Sequence, residues 1–143
     1  MSDLHNLQRF VEAQSPVYEQ VLEELRAGEK HNHWMWFVFP QIEGLGHSPM
    51  ARKYAIHSKS EARAYLEHAL LGARLRECVA ILLGQQDRNV LQIFGELDAM
   101  KLRSSLTLFS AVAPAAESCF ADALEKFYRG EKETATVAKV LLS

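Results

Sequence analysis

Apolar residues recur at helical spacing along almost the whole chain, and glycines or serine-proline pairs break them into short runs, which leaves room for short helices and little else. Asp3 is placed to cap a first helix in which Leu4, Leu7, Phe10 and Val11 share one stripe. Ser15-Pro16 then reads as an N-cap followed by proline at the first helical position, and Val17, Val21, Leu22 and Leu25 carry a second helix to Gly28. These two should pack as a pair. Ser48-Pro49 repeats the signature, and Ser58 to Glu61 has the spacing of a capping box. Leu71, Leu75, Val79, Leu82 and Leu83 mark a longer helix stopped by Gly84, and a short segment from Val90 to Phe94 is closed by Gly95. Phe120, Leu124, Phe127 and Tyr128 lead to Gly130, and Val137, Val140 and Leu141 form a last short helix.

One stretch breaks the pattern. HWMWFVFPQ, His33 to Gln41, holds six consecutive apolar residues from Trp34 to Phe39, whereas a membrane-spanning helix needs about 20. Interfacial helices usually carry Lys or Arg on their polar face, and this stretch has neither. It belongs in the core, as a short helix or as a buried extended segment, because a lone strand has no ladder partner. The expected class is all-α: a compact single-domain array of about seven to eight short helices over residues 1–143, with a short extended aromatic segment as the variant. A chain of 143 residues buries roughly two thirds of its unfolded surface, and 48% hydrophobic with 24% charged residues fits an ordinary globular domain.

A formal charge of -2 and a pI near 6.3 provide no global attraction for phosphate backbones or anionic lipid. The expected partners therefore include no nucleic acid and no membrane, and the chain should be a monomer or weak homodimer. The two cysteines, Cys78 and Cys119, lie far apart, and the N-terminal MSDLHNLQRF lacks an apolar leader segment, so a reduced, cytoplasmic setting is expected. The six histidines show no metal spacing. His31 and His33 are two apart, on different helical faces, so no metal and no cofactor is expected. No GxSxG elbow occurs, and Cys78 sits in the apolar register of its helix.

The helix from Glu96 to Ala113 is the most informative for chemistry. At about 100° per residue, Glu96, Ala99, Arg103, Thr107 and Ser110 share a side that should face water. The opposite arc carries Leu97, Leu102, Leu108, Phe109 and Val112, and with them Asp98, Lys101, Ser104 and Ser105. Polar groups turned toward a core need partners. One reading is a structural network, with Asp98 and Lys101 paired at i, i+3 and the serines bonded back to carbonyls one turn earlier. The other is a pocket in which Lys101, Ser104 and Ser105 hold a phosphate or carboxylate.

Two neighbours could complete such a pocket. The GLGHSP loop offers Gly44 and Gly46 for close backbone approach and Ser48 at a helix start, although two glycines fall short of a dinucleotide fingerprint. The aromatic stretch offers Trp36 for stacking and Gln41 for hydrogen bonding. The leading expectation is an anionic small-molecule ligand, a nucleotide or phosphorylated sugar, between HWMWFVFPQ and the KLRSS helix. An alternative adds hydrolysis of an N-glycosidic or phosphoester bond, with His33 or Asp98 as the base. A third is a non-catalytic interaction module presenting an aromatic patch.

The segments LQRFVEAQ, HWMWFVFPQIEGLG, YAIHSKSEARAYLEHALLGARL and FGELDAMKLRSSLTLF resemble a bacterial family catalogued as domain of unknown function 1810, over nearly the whole chain. Some of its members carry a calpastatin label, which a packed core does not fit, because an inhibitor of that kind is extended and disordered. The resemblance implies a mainly helical single domain and no particular reaction. It makes His33, Trp34, Trp36, Pro40, Gln41, Lys101, Ser104 and Ser105 part of the family signature. Ala69 stands where a proline is expected, at a helix boundary.

Overall fold

The computed structural model describes residues 3–143, and among them it holds nine helices: α1 Gln8–Gln14, α2 Tyr18–Ala27, α3 Met35–Val38, α4 Pro49–Lys53, α5 Lys59–Glu67, α6 Leu71–Leu83, α7 Val90–Val112, α8 Cys119–Tyr128 and α9 Thr134–Leu142. The all-α expectation holds. The count exceeds the expected seven to eight because α3 and α4 are elements of four and five residues. None of these helices is long and apolar enough to cross a membrane.

α7 is the spine on which α3, α5, α8 and α9 pack, while α6 lies against α2, α5 and α8. Aromatic contacts join these layers: Phe109 lies 5.3 Å from Tyr65 and 6.0 Å from Phe120 between ring centroids. A second group, Trp34, Phe39 and Phe94, closes the opposite end in tilted and edge-on pairs 6.2 to 6.4 Å apart.

Both variants of the aromatic stretch are realised in succession. Met35 to Val38 form one helical turn; Phe39 leaves the helical region, and the chain then extends into a single parallel bridge between Ile42 and Ile56.

Local signals were right where they concerned backbone stops. Gly28 closes α2 at φ 71°, and Ser48 Oγ accepts the Ala51 N–H at the start of α4. Asp3 does cap: its two oxygens accept the N–H groups of Leu7 and Gln8, and these backbone bonds hold its carboxyl below the usual range. Leu4, however, is exposed rather than part of the stripe.

Ser15 corrects a second expectation. It ends α1, with helical φ/ψ and its N–H bonded to Val11 C=O, and α2 begins only at Tyr18 without a side-chain cap. The first helix ends on the serine, so proline stands in a turn rather than opening a helix. At α5 the capping box is half made: Ser58 Oγ accepts from Glu61 N–H, but the buried Glu61 carboxylate turns to His57 N–H and to Arg9. At the boundary occupied by Ala69, His68 Nδ1 accepts the N–H groups of Leu70 and Leu71, which caps α6 without a proline.

Candidate functional site

The site is built from the loop that precedes the aromatic stretch. Glu24, buried on α2, accepts hydrogen bonds from His31 N–H (2.7 Å), Asn32 N–H (3.1 Å), Asn32 Nδ2 (2.7 Å) and Trp34 Nε1 (3.0 Å). Burial works against its charge, but the bonds from Asn32, His31 and Trp34 outweigh this and hold the carboxyl below the usual range. Residues 31–34 are thereby fixed around one carboxylate.

α7 meets this loop at a break. Gly95 adopts φ 79° and ψ 172°, interrupting the helix, and the carbonyl of Ile93 accepts the Lys30 N–H at 2.8 Å. The result is an alternating row of charges and rings. Lys30 Nζ lies 4.9 Å from the centroid of Trp34 and 2.7 Å from Asp98 Oδ2; Lys101 Nζ lies 3.4 Å from Asp98 Oδ1 and 5.0 Å from the centroid of Trp36. Both ammonium groups gain from the negative ring faces.

Trp36, half-buried, stands where three clefts meet. The largest, about 670 Å³, runs between the aromatic stretch with its following loop and the outer face of α7. It brings together Trp36, Gln41, Gly46, Ser48, Lys101 and Ser104, all of them expected ligand-binding positions. Gly44 lines a neighbouring cleft of about 240 Å³ that also includes Trp36, Gln41 and Gly46. His33 and Asp98 line a third, of about 410 Å³, beside Lys30 and Lys101.

Several expectations need correction. Ser105 is 1% exposed, its Oγ has no hydrogen-bond partner, and it lines none of these clefts: its turn of α7 points it into the packed interior. Ser104 Oγ does bond back to Met100 C=O at 3.2 Å, as the network reading required, although the residue borders the large cleft. Ala99 and Thr107 are buried rather than facing water, because α8 and α9 cover that side of α7; Tyr128 hydroxyl donates to Ala99 C=O and Glu133 N–H to Thr107 Oγ1. Leu97 is 74% exposed on the cleft rim and not in the core, since the break at Gly95 rotates this first turn outward.

Sequence reasoning missed Arg103 and Glu133, which line the large cleft, and Arg52, His47 and His57, which line the small one. Arg103 is anchored by the carbonyls of Glu131 and Lys132. Burial opposes the charge of Glu133, but bonds from Thr136 and Ala135 at the start of α9 outweigh it, and its carboxyl is held below the usual range. Cys78 is buried, which pushes its thiol up to about 12 and leaves it a poor nucleophile. Among the described residues, no three His, Cys, Asp or Glu side chains are grouped to hold a metal ion.

A single helical domain with clefts gathered around one tryptophan defines the class. The chain belongs to the family described as protein of unknown function (DUF1810), which it matches over residues 4–140. It is similar to a solved structure, the conserved hypothetical protein Rv1873 from Mycobacterium tuberculosis, at 50% identity and a TM-score of 0.96, covering 99% of this chain and 100% of that one. No curated protein matches it.

Proposed function

We propose that the chain binds an anionic small molecule, a nucleotide or a phosphorylated sugar, in the large cleft between the aromatic stretch and α7. The observation that carries this is the position of Lys101. Its ammonium stands over the ring of Trp36 on the wall of a cleft of about 670 Å³, so a positive charge and a flat apolar surface are offered side by side. Such a pairing suits a ligand with a planar or sugar ring and an attached oxyanion. Gln41 and Ser48 supply polar contacts, and Leu97 and Met100 form an apolar rim. Because Trp36 lines a concavity with Lys101 and Trp34 is buried, the arrangement supports a ligand site over a non-catalytic interaction module. The two free thiols, Cys78 and Cys119, fit a reducing cytoplasm.

A hydrolytic variant draws support from His33, which lines the adjoining cleft with Lys101 and Trp36. Asp98 is the less available candidate, because each of its oxygens already faces an ammonium group.

The test is thermal unfolding with nucleotides and sugar phosphates. A ligand at 100 times its Kd adds about 2.7 kcal/mol, which for a domain of this size raises Tm by roughly 5–10 °C. Lys101→Ala should fold normally and lose this rise. No shift with any anion would refute the reading.

A further inference from the structure

The smallest cleft holds a guanidinium and two imidazoles that the proposed ligand site does not use. One backbone event builds its wall. Ile56 N–H donates to Gln41 C=O (2.8 Å) and Glu43 N–H donates to Ile56 C=O (2.9 Å), which makes the parallel bridge between Ile42 and Ile56. Both isoleucines are buried, so the residues that follow them in extended chain, Glu43 and His57, emerge side by side on the outer face. His57 Nδ1–H donates to the Glu43 carboxylate at 2.7 Å, which fixes the tautomer and leaves Nε2 to meet a ligand.

Arg52 from α4 and His47 from the loop line the same cleft. Among the described residues the Arg52 guanidinium makes no hydrogen bond and no ion pair. Lys139 of α9, outside the lining of this cleft, lies against Gly44, where an added Cβ would come 2.6 Å from its Nζ. Gly44 itself has φ 90°, a backbone region that favours glycine. A guanidinium, two imidazoles and an ammonium thus surround one glycine turn. Among the described residues the one carboxylate lining the cleft, Glu43, is already engaged in orienting His57.

We propose that this cleft is an oxyanion subsite for a phosphate group, continuous with the large cleft through Trp36 and Gln41. Arg52 offers the paired N–H donors that fit a phosphate. His57 Nε2 accepts from a phosphate hydroxyl when neutral and donates when protonated. The proposal rests on the ligand reading and narrows it: with Lys101 in the large cleft and Arg52 in the small one, and Trp36 lining both, the matching ligand carries two separated anionic groups, as in a dinucleotide or a bisphosphorylated nucleotide.

The experiment titrates inorganic phosphate into the isotope-labelled full chain and follows amide and imidazole resonances, with sodium chloride at matched ionic strength as the control. Saturable shifts at Gly44, Gly46, His47 and the His57 ring are expected, absent with chloride. The phosphate Kd at these positions should rise at least fivefold in Arg52→Gln and in His57→Gln, and should stay unchanged in Arg63→Gln, an exposed cation of α5 that lines none of the three clefts. Shifts confined to residues around Lys101, or an unchanged Kd in Arg52→Gln, would overturn the subsite. Phosphate shifts at Gly44 and His57 without stabilisation by any nucleotide or sugar phosphate would sustain the subsite and remove the ligand reading. Nucleotide stabilisation without these shifts would do the reverse.

Discussion

Lys101 and Ser105 share one stripe of α7, yet only one of them reaches a cleft. The helical wheel separates wet from dry faces but does not say where, along the dry face, a neighbouring helix stops covering it. Lys101 projects past that limit to Trp36, whereas Ser105 is buried in the interior and its hydroxyl has no partner. A buried hydroxyl without a hydrogen bond costs about 1–3 kcal/mol. Ser105→Ala should therefore leave the protein as stable, or up to about 1 kcal/mol more stable, by urea unfolding, and leave nucleotide binding unchanged. A loss of binding would return Ser105 to the site. Lys101, Trp36 and Gln41 were legible because each is a polar or amphipathic group in an apolar context. Arg52 and His57 were not: they reach one cleft through a bridge between residues 42 and 56 that no local pattern announces.

Helix stops were the most legible elements, because glycine at positive φ is required by local sterics and needs no tertiary partner. Gly28 and Gly95 stand where the apolar period ends, with φ of 71° and 79°. Helix starts were less legible. Ser15 has the composition of an N-cap, yet it closes the preceding helix as its C-cap. Gly95 matters most for the site, since the break there orients the turn that bears Leu97, Asp98 and Lys101. A Cβ at this position would meet nothing within 4 Å, so the whole cost of Gly95→Ala comes from the backbone. That cost should be about 1–3 kcal/mol, seen as a lower urea midpoint, with a weakened ligand response because the Lys30 to Lys101 row is displaced. Retention of full stability would show that the break is not needed.

The whole molecule is held at two points by carboxylates that stay ionised in partial burial. Glu24 organises residues 31–34, and Glu133 opens α9 while its N–H joins that helix to Thr107. Both carboxyls are depressed in the fold, so their contribution is complete above the unfolded value near 4.5 and is lost as pH falls through the lower folded value. Urea midpoints should drop on acidification through and below that range, and less steeply in Glu24→Gln, whose starting stability is lower. A slope that is the same in the variant would assign acid sensitivity elsewhere. The architecture as a class was legible from periodicity, but the crowding of three clefts on one side chain was not, because it depends on how α3, α4 and α7 are juxtaposed.

That crowding gives the chain a built-in optical gauge. Its two indoles live in opposite surroundings: Trp34 is sealed and tethered to a carboxylate, while Trp36 is half-open beneath an ammonium. Their emission should divide into a shielded fraction and one that aqueous quenchers reach. Any occupant of the junction would dim or protect the second fraction alone, so unlabelled protein carries the means to register its own guest.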